Sequence, residues 1–334
     1  MAAYSMRVQI ADIVIRFESE LESDIGDLCS FFKYHIELSD QEPDCTVVLK
    51  RQVSFYMPKD AKMLWQSGKD CSTLPEERLG RRRVSIPSKF DSYGHATCYL
   101  SSGRGEYYYG LMHDRSWICY KPSEDKITYV LHHRPNRKTS SRLIESINPL
   151  SAMPLLIHVI ASSHGRFITH GAAVELDGKA KLFLGKSGSG KTTISTDLAR
   201  KKVAFMGDDI VLIYLKDGLP MVGALLLPAK LKISNTTEKT PVDVPEQMQA
   251  KYSLTAPLGA VYLVRQNGLP ESTVEHRPSA ELLLQLMEAS NGMMMQFDPQ
   301  QWLSAMYDIS AQVPYFILNY GERSLIDTSI LINN

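Results

Sequence analysis

The chain has no C-x-x-C pair, no net charge and no apolar run long enough to cross a bilayer. Each absence removes a class of protein. Its five cysteines, Cys29, Cys45, Cys71, Cys98 and Cys119, are odd in number, widely spaced and confined to the first part of the chain. That pattern argues against a disulfide framework or a zinc site and for a reducing compartment, with each thiol acting as a small buried hydrophobe. Lysine plus arginine equal aspartate plus glutamate at 37 each, so there is no broad positive field of the kind that draws nucleic acid or an anionic membrane surface. The opening "MAAYSMRVQI" lacks a basic segment followed by an apolar core, and with no membrane-length run the expectation is a soluble, unexported, cytoplasmic protein. No internal repeat of fixed period is present.

At 334 residues the chain exceeds what one hydrophobic core ordinarily organises, so two domains are expected. From Met6 to about Arg134 short runs such as "MRVQIADIVIRF", "CTVVLKRQVSFYM", "HATCYLSS", "GEYYYGLM", "SWICYK" and "KITYVLHH" are rich in aromatic and β-branched residues. They read as strands of a β-rich α+β domain, with "DIGDLCSFFKYHI" (Asp24 to Ile36) as its helix. The polar, basic segment "HHRPNRKTSSR" (His132 to Arg142) reads as a junction, giving domains at 1–140 and 141–334. The following stretch is helical in pattern but carries Pro149 and Pro154, which should bend or divide it.

From Phe167 the pattern changes. A strand, a turn at Asp177-Gly178 and a second strand "AKLFLG" form a hairpin signal, and the second strand runs into "LGKSGSGKTT". Gly185, Lys186, Ser187, Gly188, Ser189, Gly190, Lys191 and Thr192 satisfy G-x-x-x-x-G-K-[ST], directly after a strand and opening a helix "KTTISTDLARK". Glycines let successive backbone N–H groups converge on phosphates, and the helix N-terminus adds partial positive charge. The pattern assigns these residues, with Thr193, to ATP binding, Lys191 to the β- and γ-phosphates and Thr192 to Mg2+. Farther on, "IVLIYL", "LGAVYLVR" and "PYFILNY" read as strands. "PSAELLLQLMEAS" and "DPQQWLSAMYDIS" read as helices, the second with Asp298 as N-cap and Pro299 at its first position.

Seventeen residues past Lys191, "VAFMGDDIVLI" places Asp208 and Asp209 at the end of a short strand. Neighbouring side chains of an extended chain point to opposite faces unless a turn begins there, so two roles are expected: one carboxylate for a metal, one to accept a hydroxyl proton. Phosphoryl transfer needs both. "FITHGAAVEL" brings His170 to a strand end, where it could hydrogen-bond an aspartate or a phosphate. Weaker features are Arg78, Arg81, Arg82 and Arg83 within "EERLGRRRVS", an exposed edge or loop; Lys230 and Lys232 after Pro228; and the methionines of "GMMMQF" (Gly292 to Phe297), which read as core filler.

Taken together, H-G, a two-stranded entry, the glycine loop and D-D after one helix resemble the catalytic domain of HPr kinase/phosphorylase and its relatives, whose fold is similar to the nucleotide-binding core of phosphoenolpyruvate carboxykinase. The resemblance covers roughly residues 155–330 and is strongest from Thr169 to Ile213. It implies an α/β P-loop kinase domain preceded by the β-rich one, with Asp208 as the base that deprotonates a serine, His170 as its support, Lys191 as a catalytic residue and Asp209 with Thr192 as the Mg2+ ligands. Two departures matter. The family's downstream signature E-I-R-G-L-G is absent, with "LLLPAKLKIS" (Leu225 to Ser234) roughly in its place, and Thr193 stands where glutamate is common. The missing signature points away from HPr and from the reverse phosphorylase reaction. The N-terminal region, opening "MRVQIADIVIRFESEL", looks instead like HPr-kinase-related proteins encoded beside peptide natural-product genes, including lasso-peptide kinases that phosphorylate a precursor's C-terminal serine. The expected partner is therefore a peptide substrate, with no nucleic acid and no membrane, and the resemblance admits a homo-oligomer. An HPr or small-molecule kinase and a nucleotide-sensing regulator are the competing readings; the paired aspartates favour catalysis over sensing, because a sensor has little use for a base aimed at an acceptor hydroxyl.

Overall fold

The computed structural model describes residues 3–38, 40–52, 57–66, 96–111, 116–132, 150, 153–232, 239–266, 272–290, 299–321 and 331. The arginines of Glu76 to Ser85, the expected boundary near residue 140, the methionines of Gly292 to Phe297 and the expected cap Asp298 lie outside them. The chain divides into two compact units, one made of Met1–Gln9 and Ile13–Ile160, the other of Ile10–Asp12 and Ala161–Asn334.

The first unit is built on one eight-stranded sheet. Its strands are β1 (Tyr4–Ile10), β2 (Ile13–Ser19), β3 (Cys45–Gln52), β4 (Ala61–Gln66), β5 (Ala96–Ser101), β6 (Glu106–Leu111), β7 (Ser116–Lys121) and β8 (Lys126–His132), in the order β1-β2-β3-β8-β7-β6-β5-β4. β3 runs parallel to both β2 and β8, while β4 to β8 follow one another as antiparallel neighbours. Strict alternation of buried and half-buried residues along β7 is the period of two expected of a strand with one covered face.

Helix α1 spans Glu22–Phe31, starting and ending earlier than the expected Asp24 to Ile36. Pairing with β1 stops it: Ile36 bridges Val8, and the Gln9 amide donates to the His35 carbonyl at 2.7 Å. Asp24 is buried but not bare, since Ser19 Oγ donates to it at 2.8 Å and Arg51 pairs with it. The thiols of Cys45 and Cys119 are each pushed up to about 12, first by burial. Both cysteines are free, as the sequence pattern implied.

Helix α2 (Met153–Ser163) carries Pro154 in its first turn, where a missing N–H breaks no intrahelical bond. The second unit then continues with β9 (Phe167–Thr169), β10 (Ala172–Leu176), β11 (Lys179–Leu184), α3 (Lys191–Arg200), β12 (Ala204–Gly207), β13 (Val211–Lys216), β14 (Leu219–Ala224), β15 (Ala229–Lys232), β16 (Lys239–Val242), α4 (Val244–Gln247), β17 (Thr255–Gln266), β18 (Thr273–Arg277), α5 (Ser279–Ala289), α6 (Pro299–Gln312) and β19 (Tyr315–Tyr320). The turn Asp177-Gly178, with φ of 52° and 73°, closes the β10–β11 hairpin in the positive-φ geometry that suits tight hairpins.

The sheet forks. Twelve-residue β17 pairs through Ala256 and its neighbours with antiparallel β14, and farther along with parallel β11 and β19. One branch therefore reads β12-β10-β11-β17-β19-β18 and the other β9-β13-β14-β17. β15 and β16 form a separate ribbon. Helix α3 packs over β10 and β12, burying Ile194 and Leu198 against Phe183, Tyr262, Phe316 and Leu318. In this core the Phe183 and Tyr262 rings lie 5.7 Å apart, and those of Tyr262 and Phe316 are stacked at 5.3 Å.

Phe183 is wholly buried and sits two residues before the glycine loop. Phe183→Ala is expected to lower the unfolding free energy by about 3–5 kcal/mol, the range for large aromatic truncations in cores. Urea denaturation followed by tryptophan fluorescence and circular dichroism measures it; a loss well under 1 kcal/mol would show that this layer does not support the loop.

Candidate functional site

The loop from Gly185 to Gly190 joins β11 to α3, so the strand and helix that its pattern calls for are both present. Two of its glycines are required by geometry. At Gly185 (φ 141°) an added Cβ would lie 2.8 Å from both the Val264 carbonyl oxygen and Ser189 Oγ; at Gly190 (φ 105°) it would meet the Tyr320 ring at 3.3 Å. Gly190 is also the N-cap of α3 and supplies no side-chain cap. The first N–H groups of the helix are therefore open to an anion.

Lys191 folds back over the loop. Its Nζ donates to the carbonyls of Gly185 at 2.7 Å and Lys186 at 3.2 Å, and only 7% of the residue is exposed. Ser189 Oγ is enclosed and has no hydrogen-bond partner among the described residues. An ammonium, a spare hydroxyl and a row of uncapped amides around one turn suit a phosphate chain. Lys186, Ser187, Gly188 and Thr193 line the exposed side of the same turn.

Thr192, the second residue of α3, points its hydroxyl at Asp208 and donates to Oδ1 at 3.0 Å and Oδ2 at 2.9 Å. Asp208 follows β12 and is 5% exposed. Burial pushes its carboxyl above the ordinary aspartate value and the Asp209 charge adds to this, against the opposing Thr192 hydrogen bond and Lys191 charge. Asp209 takes a left-handed conformation (φ 71°), which aspartate tolerates, so the extended chain ends here and the two carboxylates face different partners. The Asp209 side chain is 57% exposed, and its Oδ1 lies 3.1 Å from His170 Nδ1. That hydrogen bond, foremost, holds Asp209 below the ordinary value; the charges of His170, Lys230 and Lys191 act in the same sense against partial burial.

The fork of the sheet creates this meeting point. Thr169 at the end of β9 pairs with Val211 at the start of β13, and Ala173 on β10 pairs with Gly207 at the end of β12. Residues 170–171 and 208–210 therefore cross between the two branches side by side. The His170 amide is tied to the Ala289 carbonyl at the end of α5, at 2.9 Å.

Lys191, Thr192, Asp208, Asp209 and His170 thus gather, but not in the expected pairs. The resemblance paired His170 with Asp208 and Thr192 with Asp209; the hydrogen bonds join His170 to Asp209 and Thr192 to Asp208. The left-handed turn at Asp209 is the reason, because it carries that side chain out toward β9 and leaves Asp208 facing α3. Tyr320, packed on Gly190, was not a candidate from sequence; its only signal was its place at the end of the apolar strand "PYFILNY". Lys230 was a weak candidate and lies close enough for its charge to act on Asp209.

Among the described residues no three His, Cys, Asp or Glu side chains cluster to hold a metal by themselves. Magnesium at a nucleotide needs no such cluster, since one or two protein oxygens and the phosphates suffice. Thr192 Oγ1 and the Asp208 carboxylate are two adjacent hard oxygen donors of the required kind.

No protein-family model matches the chain, and no curated protein does. Among solved structures it is similar to the Hpr(Ser) kinase/phosphatase from Coxiella burnetii, at 12% identity over 50% of this chain and 94% of that one, with a TM-score of 0.32. Among the described residues no helix is long and apolar enough to cross a membrane.

The raised Asp208 value fixes the sign of a stability effect. Ionised Asp208 costs stability above its folded-state value, and the cost fades as pH falls through that value. In metal-free protein held in chelator, Asp208→Asn is therefore expected to raise Tm at pH 8, by about 2–4 °C for each kcal/mol relieved in a domain of this size. The difference from wild type should shrink toward acid pH. A variant that melts lower than wild type at pH 8 would contradict the burial argument.

Proposed function

We infer that the chain is a magnesium-dependent kinase that moves the γ-phosphate of ATP to a serine hydroxyl of a peptide. The observation that carries this reading is the hydrogen bond from Thr192 at the head of α3 to buried Asp208, with the exposed Asp209–His170 pair beside it. The loop amides and Lys191 would bind the phosphates, and Thr192 with Asp208 would hold the magnesium. Bound there, the ion neutralises charge on the phosphates and orients them. An arriving cation also favours the ionised form of a carboxylate that burial alone disfavours.

On this reading the two aspartates exchange the roles suggested by resemblance. A metal resting on Thr192 would touch Asp208 and not Asp209. Asp209 is the exposed carboxylate, steadied by His170, and takes the proton from the acceptor serine as its Oγ attacks the γ-phosphorus and the bond to the ADP oxygen breaks. The acceptor itself rests on the sequence resemblance: the absent E-I-R-G-L-G signature and the β-rich first unit favour a peptide over HPr, and the C-terminal serine of a lasso-peptide precursor is the proposed substrate. A mobile chain end can approach the phosphate in line without unfolding a domain.

Lys191→Ala is expected to lower kcat by about 100-fold or more with the circular dichroism spectrum unchanged. Asp209→Asn should keep magnesium-dependent ATP binding and lose transfer, whereas Asp208→Asn should weaken that binding. Calorimetric titration of ATP with and without magnesium separates the two, and the opposite pattern would return the base to Asp208. Mass spectrometry after incubation with ATP, magnesium and a lasso-peptide precursor ending in serine should show additions of about 80 Da at the C-terminal serine, abolished by its replacement with alanine. Phosphorylation of HPr or of a free metabolite, with the peptide unmodified, would overturn the acceptor.

A further inference from the structure

A second cationic cavity opens at the other end of β11. Leu184 leads into the glycine loop, but Lys179 and Lys181 begin the strand, which places Lys181 about 13 Å from Gly185 along the chain at the usual rise of an extended segment. Strand alternation puts Lys179, Lys181 and Phe183 on one face. Phe183 belongs to the core under α3, and the two lysines continue its row into a cleft of about 500 Å³ that also involves Asp177, Leu258, Gly259 and Gln312.

Lys181 is the unusual member. It is only 8% exposed, and neither its side chain nor that of Lys179 makes a hydrogen bond or ion pair with any described residue, Asp177 acting on Lys181 through its charge alone. Lysine is seldom buried without a counter-charge, because desolvating an ammonium costs several kcal/mol unless something replaces the water. The nearby Lys179 charge makes the situation worse rather than better, and Asp177 only partly opposes it; burial first, then Lys179, holds Lys181 below its ordinary value.

The backbone is also arranged around this point. The register of β11 against β17 shifts between Ala180 and Lys181, so that Leu258 faces Ala180, Ala260 faces Lys181, and Gly259 is the extra residue of a bulge. Bulges re-aim side chains and are common beside functional sites. A Cβ at Gly259 would stand 2.8 Å from the Lys179 Cβ, so glycine there is what lets Lys179 lie across β17 at the cavity wall. Removing a side chain in order to admit a lysine, beside a second lysine opposed only by the charge of Asp177, is an arrangement that increases local positive charge in the cleft.

We propose that this cavity binds a compact dianion of the phosphate or dicarboxylate type, held between the ammonium groups of Lys179 and Lys181, at a site separate from the glycine loop. The proposal does not depend on the kinase reading. A dianion would supply two formal charges against two lysines, leaving Asp177 at the rim exposed to solvent, and charge-assisted hydrogen bonds of this kind are the strong ones.

The test is calorimetric titration of inorganic phosphate, and separately of malonate, into the full chain carrying Lys191→Ala, in which the loop has lost its own ammonium. Binding of at least one of the two anions is expected to remain, and which one it is identifies the ligand type. Adding Lys181→Met or Lys179→Met to that background should weaken it about tenfold or more, the effect of deleting a charged hydrogen-bond donor. Lys181→Met alone should melt no lower than wild type, because it removes a charge that partial burial and Lys179 disfavour while keeping the alkyl volume. Lys179 is exposed, so its variant tests the site even if the Lys181 variant folds poorly. Failure of both anions to bind Lys191→Ala protein, or binding that is unchanged by both lysine replacements, overturns the proposal.

Discussion

A buried carboxylate must have a donor or lose its charge, and the contact between Thr192 and Asp208 meets that requirement at the centre of the second unit. It ties the first turn of α3 to the end of β12 with hydrogen bonds of 2.9 and 3.0 Å. The helix cannot shift along the sheet without stranding Asp208, and the glycine loop is held between that anchored helix and β11. Lys191, at the head of that helix, is placed by these two fixed ends. Such a bond contributes little net stability, since it opposes a burial cost of similar size. What it contributes is position, which is the main demand of the phosphoryl transfer proposed for this site.

The second constraint is the fork at β17. A single unsplit sheet would carry β9 and β12 as ordinary edge strands, with the segments after them running off in unrelated directions. Because the branches separate, the short connections at residues 170–171 and 208–210 pass each other, and His170 meets Asp209 although 38 residues intervene in the chain by their numbering. The left-handed backbone at Asp209 completes the arrangement by turning adjacent aspartates toward opposite neighbours: one faces α3 in a dry setting, the other faces solvent beside an imidazole. Two identical side chains thereby acquire environments that move their proton affinities in opposite directions, which is the usual means of giving like groups different tasks.

β11 links the two cationic regions. Its last residue leads into the glycine loop, the residue before it, Phe183, packs under α3, and the start of the strand presents Lys179 and Lys181. Both regions are built from glycine-permitted close approach: Gly185 and Gly190 at the loop, Gly259 at the lysines. In each, an ammonium stands where the packed interior would otherwise place an apolar group.

Much of this was legible in the residues themselves. Local rules suffice for the Asp177-Gly178 hairpin, for the strand and helix flanking the glycine loop, and for most strands of the first unit, because turn chemistry, β-branched runs and loop glycines act within a few residues. Where partners are distant, local rules fail. β4, β14, β15, β16 and β18 escaped because "AKMLWQ", "LPMVGA", "AKLK", "KTPV" and "TVEHR" have weak patterns and become strands only by pairing. α1 stops at Phe31 because Ile36 and His35 find β1. Sequence alone determined which side chains are candidates for the chemistry, Lys191, Thr192, Asp208, Asp209 and His170, since residue type and spacing fix what each can donate or accept. Only the tertiary structure decided who faces whom: the pairing of Thr192 with Asp208 and His170 with Asp209 depends on a forked sheet and one positive φ, and the isolation of Lys181 depends on a bulge in a strand 78 residues away by number. Neither leaves a mark in the local pattern, because long-range strand registry has no short-range cause.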